Sequence, residues 1–173
     1  MQNEMLDLIR TRRSCRCYAA TPVADELLQA VLEAGTFAPT AMGRQAPYMV
    51  AVRDEALRRQ LTRMNAAVMG TDGDPYYGAP VIVLVFVGAD ERNGIQDATC
   101  VLQTLMLAAH AVGLATCWIN REREMFDTPE GQALMQTLGL PAGLVGVGAL
   151  SLGYRGGEPS QQKPRKADYF RIV

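Results

Sequence analysis

The stretch that most constrains the fold is Val81-Ile82-Val83-Leu84-Val85-Phe86-Val87, an unbroken apolar run dominated by branched side chains. It has no polar face to turn towards water. A run of this length therefore predicts a central strand covered on both sides, and it is too short to cross a membrane as a helix. The chain must supply elements to cover it.

Taken in order, the sequence supplies them. Asn3 is placed to cap a short helix that carries Leu6, Leu8 and Ile9 to the core. Thr21-Pro22 opens a second helix, with Leu27, Leu28, Val31 and Leu32 at helical spacing, which ends between Gly35 and Pro39. Residues 39–47 form a nonperiodic loop, Tyr48 to Val52 a strand, and Asp54 to about Met69 a helix with Leu57, Leu61 and Met64 on one face. A polar loop from Gly70 to Pro80 carries Tyr76-Tyr77. The longest helix follows the central strand, from Ile95 to Val112, with Gly113 as its stop. It is apolar around nearly its whole circumference, so it is buried or pairs with another copy of itself. Ala115 to Ile119 reads as a strand, and Thr128-Pro129-Glu130 starts a helix that stops at Gly139. Leu144 to Leu152 alternates glycine with apolar residues without the spacing of a dinucleotide fingerprint, so those glycines predict a close approach by another backbone or a ligand. The chain closes on Phe170-Arg171-Ile172-Val173, an apolar end that makes sense as an edge strand added to a sheet, a partner's sheet included.

These elements fit one domain, residues 1–173. A net charge of −1 gives no field that would attract nucleic acid or an anionic membrane, which argues against a nucleic-acid-binding domain built on local arginines. With no apolar leader and no membrane-spanning run, the expected location is cytoplasmic. Cys15, Cys17, Cys100 and Cys117 contain no CxxC pair, which predicts reduced thiols and no metal site. His110, alone on an apolar helix, reads as a core group rather than a catalyst.

One cluster stands out chemically. Arg12-Arg13-Ser14-Cys15-Arg16 puts three guanidinium groups and a hydroxyl within five residues, a donor set suited to a phosphate ester with a polar stem. The bland alternative is a basic helix end that complements the helix dipole. A second basic cluster, Lys163, Arg165 and Lys166, lies in the Pro- and Gly-rich tail.

Four motifs in order carry a resemblance: Arg-Arg-Ser-x-Arg-x-Tyr at residues 12–18, Ala-Pro-Thr-Ala-Met-Gly-x-Gln at 38–45, Tyr-Gly-Ala-Pro at 77–80 and Gly-Leu-x-Thr-Cys-Trp-Ile at 113–119. Over nearly its whole length the chain resembles the compact branch of the nitroreductase family of flavoproteins. The resemblance implies an α+β fold with a mainly antiparallel central sheet flanked by helices. It also implies an intertwined homodimer with C-terminal strand exchange and two FMN sites, each built from both chains. Arg12, Arg13 and Ser14 would hold the FMN phosphate and ribityl chain, Arg16 would reach the pyrimidine edge, and Lys163 and Arg165 would close the phosphate site. From the partner chain, Pro39, Thr40, Ala41 and Met42 would lie against the ring and Gln45 would bond its polar edge. Ile119 and Asn120 would present their backbone to N5. Many relatives carry Asn where this chain has Gly43, and Pro-Trp where it has Ala46-Pro47.

The activity implied is hydride transfer from NAD(P)H through the flavin to a conjugated small-molecule acceptor, a nitroaromatic, quinone or similar. Arg16 would stabilise the negative charge that reduction adds near N1. Met42, Tyr76, Tyr77 and Phe126 are the expected substrate-facing side chains. The alternative is a flavin-binding module that stores or senses FMN without efficient turnover.

Overall fold

A computed structural model describes residues 3–173. The apolar run is the central strand. Strand β1 (Tyr48–Val52), β2 (Val81–Gly88), β3 (Ala115–Ile119) and β4 (Leu144–Gly153) form one antiparallel sheet in the order β1-β2-β4-β3. In register, Val83 pairs with Ala51 on one side and with Leu150 on the other, and the β2–β4 ladder shifts between Val85 and Phe86.

Strand alternation splits β2 between two cores. Val81, Val83 and Val85 pack towards α2 (Asp25–Thr36) and α4 (Gly94–Ala111) through Leu28, Val31, Leu102 and Leu105. Ile82, Leu84 and Phe86 face α3 (Glu55–Met69), α5 (Glu122–Phe126) and α6 (Pro129–Thr137) through Leu61, Met64, Met125 and Leu134. Helices therefore cover both faces, as the continuous run requires. Each such side chain, fully buried, contributes about 1.5–3 kcal/mol.

Local signals set most boundaries. Asp54 accepts from the Leu57 amide at 2.8 Å to start α3, and Thr128 accepts from Gly131 at 3.0 Å to start α6. Gly113, at φ 80°, ends the turn after α4. Gly146 fulfils the expected close approach: a Cβ there would sit 2.5 Å from the Glu122 carbonyl oxygen, so glycine lets α5 lie on β4.

Two expectations need correction, and a third, the terminal strand, has no counterpart within the chain itself. Helix α1 (Glu4–Thr11) is capped by Asn3 as expected, yet none of its residues is buried: Leu8 is half-buried, and Met5, Leu6 and Ile9 are exposed. Periodicity identified its apolar face but not what covers it. Helix α2 starts at Asp25 after Ala24, which provides no side-chain cap, so Thr21-Pro22 belongs to the preceding loop. The closing residues form no strand within the chain; Phe170, Ile172 and Val173 are exposed in a coil. Among the described residues, no helix is long and apolar enough to cross a membrane.

Candidate functional site

After α1 the chain straightens at Arg12 and runs beside β3. Ser14 bridges Thr116 in parallel, and the Cys15 amide donates to the Thr116 carbonyl at 2.9 Å. The buried Tyr18 hydroxyl, which donates to the carbonyls of Cys15 at 3.0 Å and Ser151 at 3.1 Å, ties the segment to the sheet. Arg12, Arg13 and Ser14 are thus held on a rigid edge, each partly buried.

The electrostatics here are unfavourable as they stand. Arg12 Nη1 is buried with no hydrogen-bond partner among the described residues. Desolvation first, and the charge of Arg13 second, lower the Arg12 pKa below that of a free guanidinium. Arg13 turns back to donate to the carbonyls of Arg10 and Arg12, at 2.7 and 2.6 Å. His110 Nε2 lies 3.0 Å from Thr11 Oγ1, and its pKa is lowered by burial and then by the charges of Arg12, Arg155 and Arg13. Its site is the cationic end of α4 rather than the core interior.

Arg155 is the residue that sequence reasoning missed. Just beyond β4, it pairs with Tyr18 in an isolated antiparallel bridge and adds its charge to the group around His110. The expected tail cations, Lys163 and Arg165, are instead exposed in the final coil, with no hydrogen bond or ion pair among the described residues. The only available signal for Arg155 was its position straight after a strand.

At the other end of β3, Trp118, Ile119 and Asn120 line a cavity of about 260 Å³ with Tyr77 and Arg121. Trp118 Nε1 donates to Asn120 Oδ1 at 2.7 Å. Asp74 accepts from the amides of Tyr76 and Gly78 at 2.8 and 2.6 Å, which shapes the turn that sets Tyr77 at φ 59°. The Arg16 guanidinium sits 5.9 Å from the centre of the Tyr77 ring, so Arg16 belongs with this cavity. Of the side chains expected at a substrate face, Tyr77 and Met42 are exposed. Tyr76 and Phe126 are not: both are 1% exposed, Tyr76 engaged with Glu122 and Phe126 edge-on to Phe86.

The loop of Pro39, Thr40, Ala41, Met42 and Gln45 is built as a separate unit. Both Asp97 oxygens accept from the Ala41 amide, at 3.0 and 3.1 Å, and Thr40 Oγ1 accepts from the Gln45 amide at 3.0 Å. Met42 and Gln45 are left-handed, at φ 56° and 52°, and the Met42 side chain is 88% exposed.

Position along α4 separates the two groups. Asp97 anchors the loop near the start of the helix, whereas His110 meets Thr11 near its end. At 1.5 Å per residue, those anchors lie about 20 Å apart. A single chain joins Arg12, Arg13, Ser14 and Arg16 to Ile119 and Asn120 through β3, and leaves residues 39–45 at a distance.

Comparison with known proteins agrees with this architecture. Residues 9–71 and 70–154 match the profile of the Nitroreductase family. A candidate NADH dehydrogenase/NAD(P)H nitroreductase of Archaeoglobus fulgidus is 30% identical over 161 residues, covering 87% of this chain and 85% of its own. A nitroreductase of Bacteroides fragilis, solved with bound FMN, superposes with a TM-score of 0.92 at 31% identity over 99% of this chain and 100% of the other. A nitroreductase of Desulfitobacterium hafniense, also with bound FMN, gives 0.90 at 26% identity over the full length of both. With its sheet order, its covering helices and its family motifs in sequence, the chain belongs to the nitroreductase family.

Proposed function

We propose that the protein is an FMN-dependent NAD(P)H oxidoreductase, acting as a homodimer on a conjugated small molecule such as a nitroaromatic or quinone. The observation that carries this reading is the buried, unpartnered Nη1 of Arg12 beside Arg13 and Ser14. A buried donor without an acceptor is costly, and a phosphate oxygen satisfies it. The solved relatives with bound FMN, and the NAD(P)H in the name of the Archaeoglobus relative, support the choice of anion and electron donor.

When bound, FMN supplies the hydride chemistry between the nicotinamide and the acceptor. Arg12, Arg13 and Ser14 hold its phosphate and ribityl chain, with Lys163 and Arg165 closing the site from the tail. Arg16, exposed beside Tyr77, is the cation available for the ring's pyrimidine edge, where it favours the negative charge added by reduction. Ile119 and Asn120 offer their backbone to N5 from the cavity end of β3. Pro39, Thr40, Ala41, Met42 and Gln45 come from the second copy, a reading supported by the anchors of that loop and of Thr11 lying about 20 Å apart along α4. The exposed, apolar and flexible side chain of Met42 can pack against a planar ring or acceptor.

The test is the visible spectrum of the purified protein, followed by NAD(P)H oxidation with a quinone as acceptor. A flavin spectrum with one FMN per chain and steady turnover is expected. A protein that stays colourless when FMN is added contradicts the reading, and a yellow protein without turnover points to flavin storage.

A further inference from the structure

Beneath the turn at Asn120 and Arg121 lies a buried polar cluster that the chemistry above does not use. Asn65, on α3, has no exposed surface. Its Nδ2 donates to the Asn120 carbonyl at 2.9 Å and lies 3.3 Å from both Tyr76 Oη and Glu122 Oε1, while its Oδ1 accepts from Arg121 Nε at 2.9 Å. The Tyr76 hydroxyl donates to Glu122 Oε1 at 3.0 Å. Glu122 is fully buried, and its Oε2 has no hydrogen-bond partner among the described residues. Arg121 is held at φ 83°, a left-handed conformation that a side chain such as arginine rarely adopts without being fixed by its surroundings.

Packing alone does not call for this arrangement. Apolar side chains of similar volume would fill the space at no electrostatic cost. What the polar groups add is direction: Asn65 grips both residues of one turn, and Tyr76 and Glu122 fix Asn65. That turn carries Asn120 into the cavity with Ile119 and Tyr77. We propose that Asn65, Tyr76 and Glu122 are positioning residues that hold the Ile119–Asn120 backbone against the bound ring. This rests on the FMN reading above.

Protonation follows from the surroundings. Burial raises the Glu122 carboxyl to about 7, against weaker opposing effects from its own backbone amide, Tyr76 and Arg121. The titratable or charged groups facing it are Tyr76 from the loop before β2, and Arg121 and Glu124 from its own segment; α3 presents neutral Asn65 and β4 the Gly146 backbone. Ionisation would leave a buried charge on Oε2 with no partner among the described residues, so burial opposes it and the cluster becomes less stable as pH rises through neutrality.

The test compares wild type with E122Q, Y76F and N65A by FMN titration, bound-flavin spectrum, midpoint potential against pH, and amide exchange at residues 120–122 without FMN. The expected result is a wild-type potential profile with an inflection near pH 7 that E122Q lacks, a shifted flavin spectrum in Y76F, and faster exchange at the turn in all three variants. N65A should raise the FMN Kd about tenfold. If wild type binds FMN while E122Q and Y76F keep its spectrum, potential profile and exchange rates, with only a lower Tm, the cluster is structural and the proposal falls. If wild type binds no FMN, the functional reading falls instead, and unchanged exchange at the turn would overturn the gripping role as well.

Discussion

Two side chains, Arg12 and Glu122, each leave a buried polar atom without a partner among the described residues, and they do so for opposite reasons. Arg12 is a partly buried cation that its own neighbour Arg13 repels, and under the FMN reading a phosphate oxygen would satisfy it. Arg12→Ala should therefore leave the apoprotein Tm essentially unchanged or slightly raised, while weakening FMN binding at least a hundredfold, about 3 kcal/mol, as expected when charged hydrogen bonds to phosphate are lost. Fluorescence titration alongside a thermal melt checks both halves. Glu122 is an acid held neutral. Its folded value of about 7 lies above the ordinary 4.5, so its contribution to stability is complete below pH 4.5, declines as pH rises and is gone above about 7. Across that window the wild type should lose about 3 kcal/mol relative to E122Q, read by urea unfolding at a series of pH values. Arg12 was legible in the sequence because three arginines in five residues are conspicuous. Glu122 was not, since one glutamate in a run of charged residues gives no hint that β4 and Tyr76 will enclose it.

Most elements with explicit punctuation were legible, Thr21-Pro22 before α2 being an exception; those defined by their neighbours were not. The central strand, the Thr128-Pro129 start of α6 and the glycine stop after α4 stand in the structure as their local chemistry dictates. Helix α5 was not foreseen: five residues with a left-handed Arg121 before it and no side-chain cap carry no helical signal, and packing on Gly146 creates it. The elbow between α5 and α6 depends on a second glycine. A Cβ at Gly131 would sit 2.3 Å from the Met125 carbonyl oxygen and 2.5 Å from Phe126 Cα, both rigid backbone. Gly131→Ala should cost about 3 kcal/mol and lower Tm by roughly 10 °C, measured by calorimetry. Because α5 follows the Asn120–Arg121 turn directly, the same variant should also loosen FMN binding.

At the scale of the molecule, the sheet joins segments far apart in sequence at Tyr18 and Arg155, while the 39–45 loop and Thr11 are anchored about 20 Å apart along α4. The candidate site residues and their division between two chains were expectations carried by the family motifs; what the sequence did not show is that the 39–45 loop and Thr11 meet opposite ends of α4. Arg155 was hidden for the same reason: its neighbours are set by a bridge between residues far apart in sequence. The exposed faces of α1, Met42 and the apolar tail are the surfaces a second copy would cover under the homodimer reading.

That division makes the central claim directly testable by counting flavin in a mixed dimer. Arg12→Ala removes the phosphate-binding group, and Met42→Glu puts a carboxylate on the loop that faces the ring. Each variant alone should bind no FMN. When the two chains are unfolded together, refolded and isolated as a heterodimer, a site shared between subunits puts both substitutions in one site and leaves the other intact. The account predicts one FMN per heterodimer, and a heterodimer with no FMN would contradict it.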